Sequence, residues 1–411
     1  MDGFDVVVVG GRVAGASTAL LLARAGLRVA VVERMPRGSD TLSTHALMRG
    51  GVLQLARWGV LDEVVAAGTP PIRTTVFHYA GADPVSVPIR PAMGIDALYA
   101  PRRHCLDTIL LEAAERAGAV VFADTTATAL SRDDGGRVTG LTAVHRDGRT
   151  RRLRAALTIG ADGFASFVAR DVQAPTVRAG RCGSAVLYAY VETDATGYEW
   201  AYGRGAAAGL IPTNDGQSCV FVGTTPARMR ALRRSGAVAA FSALLRRASV
   251  DVDERVPRAP RTGLRIHGWG GSPGWMRRPY GPGWALVGDA GLFRDPISTH
   301  GITDALRDAE LLADSALRVL SGREAATPAF ARYERERDRL ASGVFDVADR
   351  ISAYDWDTEE IGRLLRELSG AMGDEVAFLA DRPIPSPALP VSDHSAPRGE
   401  GSRKAALRSL R

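Results

Sequence analysis

The sequence predicts an α/β fold in which a parallel-sheet domain is interrupted by an inserted β-sheet domain and followed by C-terminal helices. Three observations predict it. Asp5 to Arg34 reads as strand, glycine turn, helix, strand and acid, the order of a mononucleotide-binding βαβ unit. Short alternating strand-like runs occupy 74–89 and 183–223, away from that unit. A buried run from Trp284 to Ala290 then precedes long helical stretches from His300 onward.

The first unit sets the physics. Val6 to Val9 form an apolar run, Gly10-Gly11-Arg12-Val13-Ala14-Gly15 the turn, an Ala/Leu-rich helix extends to Gly26, and Val29 to Val32 lead into Glu33. Such a turn points free N–H groups of the helix at a diphosphate, whose charge the helix N-terminus favours. Glu33 lies 23 residues after Gly10, where a carboxylate accepts both hydroxyls of an adenosine ribose. Arg34 adjoins it, but the acid holds the position itself, which favours an unmodified ribose over a 2′-phosphate. Arg12 stands where the usual G-x-G-x-x-G turn has its second glycine, so its side chain either tilts away or meets the phosphates.

The remaining elements follow from local signals. A helix is expected from His45 to Trp58, stopped by Gly59, and β-type runs from Thr74 to Tyr79 and Pro84 to Ile89. A second helix runs from Arg103 to Ala117. Strands are expected at 120–123, 127–131, 138–146, 151–153 and 156–160, with turns at Asp133-Asp134-Gly135-Gly136 and Asp147-Gly148. After the strand-rich, aromatic segment to Gly223, a helix is expected from Pro226 to Arg247, then more strands to His267. Helices from about His300 to Leu320, Pro328 to Ile351 and Thr358 to Met372 complete the body. These readings predict a cofactor domain of residues 1–72, 98–176 and 275–325, a substrate domain of 73–97 and 177–274, helices over 326–380, and a disordered tail over 381–411.

Composition narrows the partners. The net charge is +6, but from Pro397 the tail carries Arg398, Arg403, Lys404, Arg408 and Arg411 against Glu400, so +4 of it lies there and the body is near neutral. Nucleic acid is not expected. Cys105, Cys182 and Cys219 are three, far apart and without a C-x-x-C, which argues against a disulfide framework or a metal site and for a reducing, cytoplasmic setting. Neither a signal peptide nor a membrane span is expected.

Two later motifs carry a family resemblance. Gly160-Ala161-Asp162-Gly163, with Ser166 and Val168, resembles the DG motif of class A flavoprotein monooxygenases, which share the para-hydroxybenzoate hydroxylase fold. Val287-Gly288-Asp289-Ala290, with Pro296, Gly301 and Asp304-Ala305, resembles their GD motif. The resemblance spans roughly residues 4 to 320 and implies a Rossmann-like FAD-binding domain. It implies that Asp289 accepts from a ribityl hydroxyl, that N–H groups of Gly301, Ile302 and Thr303 face the flavin N1 and C2 carbonyl, and that Pro296 lies beside the ring. Arg49 of Arg49-Gly50-Gly51 is similar to an arginine near flavin and substrate, and Arg103 to one reaching the phosphate-ribityl region. His45 and His300, each ending a Ser-Thr-His step, are candidate proton donors. Departures are Arg12, Arg170 one place late, and Ser298, His300 and Thr303 at positions usually held by other residues.

The resemblance implies NAD(P)H as a transient co-substrate, O2, and a flavin C4a-hydroperoxide that hydroxylates or epoxidises a small aromatic or polyketide-like molecule. Tyr188, Tyr190 and Tyr202 are candidate substrate contacts in the aromatic domain, and a monomer or homodimer is expected. A halogenase needs a lysine, and Lys404 in the tail is the only one. A reductase similar to geranylgeranyl reductase is the alternative, and a binding protein without redox turnover is the non-enzyme one.

Overall fold

A computed structural model describes residues 2–256 and 265–383. The expected disordered tail lies outside the described residues from 384 onward. The apolar runs Asp2–Val9 (β1) and Val29–Val32 (β2) flank the helix Val13–Arg24 (α1), and the two strands pair in parallel with Val6 opposite Val29. Val6, Val7 and Val8 are fully buried because helices and a β-meander cover the two faces of the sheet. Thr150–Gly160 pairs in parallel on the other side of β1, then Trp284–Leu286 beside it, while Val120–Phe122 pairs with β2. The chain therefore returns after more than a hundred residues to place Asp289 beside the first turn.

A second, seven-stranded sheet contains Thr74–Tyr79, Val85–Pro88 and the strands Ala185–Glu192, Tyr198–Gly203, Ala206–Pro212, Gln217–Thr224 and His267–Trp269. Its alternation decides what each face meets. Leu187, Val191, Leu210, Val220 and Val222 pack under the helix Ala237–Ala248. Tyr188, Tyr198, Trp200, Cys219 and Phe221 face the first sheet's helices and share their core.

The structure corrects several boundaries. The expected helix from His45 begins only at Arg49, because His45 takes a left-handed φ of 68° and Leu47 bridges to Tyr99. The two short strands at 151–160 are one strand, Thr150–Gly160. The expected helix 226–247 divides into Pro226–Leu232 and Ala237–Ala248, parted at Gly236, whose φ of 96° is outside helical space. Val250–Arg255 is helical where strands were expected, and residues 257–264 lie outside the described residues. The last helix runs on from Thr358 to Ala380 because apolar residues continue on one face through Val376 and Leu379.

Candidate active site

The turn before α1 is built for close approach. Gly10 has φ 101°, and a Cβ there would lie 2.4 Å from the Ala161 carbonyl oxygen; one at Gly15 would lie 1.9 Å from the Gly10 oxygen. Glu33 closes the turn. Its Oε2 accepts from Gly11 N at 2.6 Å and its Oε1 from Met35 N at 2.8 Å, which leaves one lone pair on each oxygen. Gly11, Glu33 and Met35 line a cleft open to solvent, with Arg12, Pro36, Asp107 and Thr108. Arg12 occupies the N-cap position of α1 without capping it through its side chain. Its half-buried guanidinium donates to the Asp40 carbonyl at 3.3 Å, and burial, with Arg103 nearby, makes its charge less favourable than in water. Arg34 is exposed beyond the cleft rim.

Arg103 starts the helix Arg103–Arg116 and forms a two-point pair with Asp107 at 2.9 and 3.1 Å. Near it lies Asp289, half-buried, in a short turn after Trp284–Leu286, with no protein hydrogen-bond partner among the described residues. Burial raises its carboxyl to about 6, with Arg103 opposing. Gly288, at φ 60°, passes so close to α1 that a Cβ would lie 2.8 Å from that of Ala14.

Pro296 opens a single turn whose N-cap, Asp295, accepts from Ile297 N at 2.9 Å and Ser184 Oγ at 2.7 Å; burial lifts that carboxyl to about 6. Thr299 is left-handed at φ 50°, and His300 turns the chain into the helix Gly301–Leu320 without a side-chain cap. A Cβ on Gly301 would meet nothing within 4 Å. His300 Nε2 lies 2.9 Å from Glu375 Oε2, and Arg307 bridges Glu375 at 3.1 Å and Asp304 at 2.7 Å. Burial works against ionising Glu375, but His300 and Arg307 outweigh it and hold the carboxyl down at about 2. His300 is therefore engaged with the last helix.

The structure brings His45, Tyr188 and Tyr190 together. His45 Nε2 contacts the Tyr190 hydroxyl, the two rings stack at 5.6 Å, and Tyr188 stacks on His267 at 4.9 Å. Arg102 lies 3.5 Å over the Tyr190 ring and pairs with Asp40 at 2.8 Å. Tyr202 stands apart, against Tyr79 and Trp356, because it lies three strands away across the sheet. Arg49 is taken up by the carbonyls of Arg90 and Ile95 at 2.7 and 2.9 Å, so it pins that loop. Asp162 accepts from Phe167 N at 2.6 Å and from Ser166 Oγ, and so starts the helix Phe167–Asp171. Sequence reasoning missed Arg102, Asp40, His267 and Glu375. Arg102 adjoins the arginine that was named, but nothing in its spacing marks it.

FAD fits these residues. Both helices that would meet its anionic parts begin without a side-chain cap, Glu33 faces a cleft, and the Asp289 carboxylate has no hydrogen-bond partner among the described residues. The family described as "FAD binding domain" matches residues 3–348. Digeranylgeranylglycerophospholipid reductase 2 of Methanothermobacter thermautotrophicus is 26% identical over 378 residues, covering 89% of this chain and 92% of its own. Aklavinone 12-hydroxylase of Streptomyces purpurascens is 33% identical over 183 residues, 40% of this chain and 34% of its own. The structure of a probable FAD-dependent monooxygenase from Pseudomonas aeruginosa superposes with a TM-score of 0.72 at 21% identity, over 90% of this chain and all of that one. With an uncapped turn for a diphosphate and a match across most of its length, the chain belongs to the FAD-binding domain family and is a FAD-dependent oxidoreductase with the class A, para-hydroxybenzoate hydroxylase-like fold.

Proposed function

We propose that the protein is a monooxygenase that uses NAD(P)H and O2 to hydroxylate or epoxidise a small aromatic or polyketide-like molecule. The observation that carries this reading is the aromatic sheet face of Tyr188, Tyr190 and Phe221 turned toward the cofactor helices, with His45 and His267 stacked on it. A flat apolar ligand buries well on such a face.

In this reading the N–H groups at the start of α1 take the diphosphate, Glu33 takes the ribose, Asp289 and Arg103 take the ribityl-phosphate region, and the Gly301 helix start faces the ring. FAD supplies the redox and oxygen-activating chemistry when bound. The chain's residues orient the substrate and exclude water: Tyr188 and Tyr190 form the wall and His45 offers a ring nitrogen. Burial raises the Tyr188 hydroxyl to about 12 and the Tyr190 hydroxyl further, so both stay neutral donors.

The testing experiment combines anaerobic reduction by NADH and NADPH with labelled O2 and mass analysis across aromatic and polyketide substrates. Label in the product supports the reading; reduction with no label in any product overturns it. A second reading, reduction of an isoprenoid double bond, is favoured by the near-full-length similarity to digeranylgeranylglycerophospholipid reductases. It predicts substrate turnover without oxygen consumption.

A further inference from the structure

The His45 side chain is 1% exposed, and its Nδ1 has no hydrogen-bond partner among the described residues. Its Nε2 meets the Tyr190 hydroxyl, and that hydroxyl has no other protein partner there. The half-buried phenol finds no other acceptor among the described residues, so Tyr190 O–H is assigned as the donor to Nε2. The ring proton then belongs on Nδ1, because a neutral imidazole carries one N–H. Burial and the neighbouring Arg103 push His45 down to about 3, so the ring is neutral across the working range. The result is a buried N–H donor without an acceptor, held by a left-handed backbone of φ 68° that a non-glycine residue adopts at a cost.

The surrounding charges restrict what the acceptor can be. Asp40 raises its partner Arg102, and the two cancel at 2.8 Å beside the Tyr190 ring. Arg103 is paired with Asp107. Tyr188 accepts from Ser43 N at 3.3 Å and is neutral. Among the described residues, the two arginines that bear on His45 are thus each paired with a carboxylate, while a neutral oxygen meets a ready donor.

We propose that His45 is a substrate-binding residue whose Nδ1–H donates to a neutral carbonyl oxygen of a flat ring system packed against Tyr188 and Tyr190. The assignment of this face to the substrate rests on the function proposed above; the direction of the donor rests on the His45–Tyr190 contact alone.

The test uses the FAD-loaded full chain and three probes of similar size: α-tetralone, a neutral ketone; tetralin, its oxygen-free analogue; and naphthoate, an anion. Calorimetric titration is expected to show α-tetralone binding roughly five- to a hundredfold more tightly than tetralin, with naphthoate weakest. His45→Asn keeps a residue type that tolerates the left-handed backbone but is too short to reach, and should abolish the ketone preference. Tyr190→Phe, which preserves the strand packing, should reduce it. Nitrogen NMR should place the proton on Nδ1 and show that resonance moving on α-tetralone addition. The proposal is overturned if α-tetralone does not bind, if its preference survives His45→Asn, or if the proton resides on Nε2. It is overturned equally if FAD alone moves the Nδ1 resonance and α-tetralone does not, since the acceptor then belongs to the cofactor. The labelled-oxygen assay judges the monooxygenase reading separately, so ketone binding through His45 without label in a product sinks that reading and leaves this one standing.

Discussion

In the function proposed above Asp289 helps to hold the cofactor, and there folding and cofactor binding pull in opposite directions. Its carboxyl titrates near 6 in the fold, above the ordinary carboxylate value of about 3.9. Between those values the folded chain binds more protons than the unfolded one, so the stability of the FAD-free protein falls as pH rises from about 4 to about 6. Two pH units correspond to at most about 3 kcal/mol. Asp289→Asn removes the titration. In thermal melts across pH, the FAD-free variant should match the parent below about pH 4 and exceed it above pH 6. Fluorescence titration should show FAD binding weakened by roughly tenfold. Arg12 presents the converse case, a cation made less favourable by burial that a diphosphate would relieve. Arg12→Gly is expected to keep the fold and weaken FAD retention on gel filtration; undiminished retention would show that Arg12 points away from the phosphates.

Among the elements, the helix Thr358–Ala380 does more than its position after the family match implies. Glu375, on its inner face, ties it to His300 and Arg307 at the start of Gly301–Leu320, and Arg294 joins through Asp304 at 2.9 Å. Gly50 and Gly51 of the helix Arg49–Arg57 pack against the same first turn; a Cβ at Gly51 would come within 3.0 Å of Thr303 Oγ1. Removing one partner from such a buried network leaves the others uncompensated, at about 3–5 kcal/mol. Glu375→Leu should lower the denaturant midpoint accordingly. Because the folded carboxyl is held at about 2, the stability it provides is complete above the unfolded carboxylate range and lost as pH falls through it toward 2. The parent should therefore lose stability in acid more steeply than Glu375→Leu, as measured by chemical denaturation at a series of pH values.

For the whole molecule, two truncations distinguish tail from body. A chain ending at residue 383 retains Arg382, which donates to Glu310 at 3.0 Å, and should match the full chain in melting temperature and FAD content. A chain ending at Asp357 leaves the buried Arg307 without Glu375 and Arg57 without the Leu379 carbonyl, and should be recovered unfolded or aggregated, as circular dichroism and light scattering would report.

Local chemistry alone determined a good part of this protein. The valine runs, the glycine turn and Glu33 specify a βαβ unit because backbone sterics and parallel-strand burial act within thirty residues. With the Asp162-Gly163 and Gly288-Asp289 steps they also carried the family resemblance that implied FAD and the fold. Tertiary structure alone decided how side chains spend their hydrogen bonds. Arg49 went to loop carbonyls, Asp162 to a helix start, and His300 to a glutamate 75 residues away. Tyr188 and Tyr190 joined His45, while Tyr202, in the same strand-rich segment, did not. The reason is physical: alternation along a strand fixes the face a residue takes, but the partner on that face is set by strand order and domain docking, which bring together residues separated by more than a hundred positions.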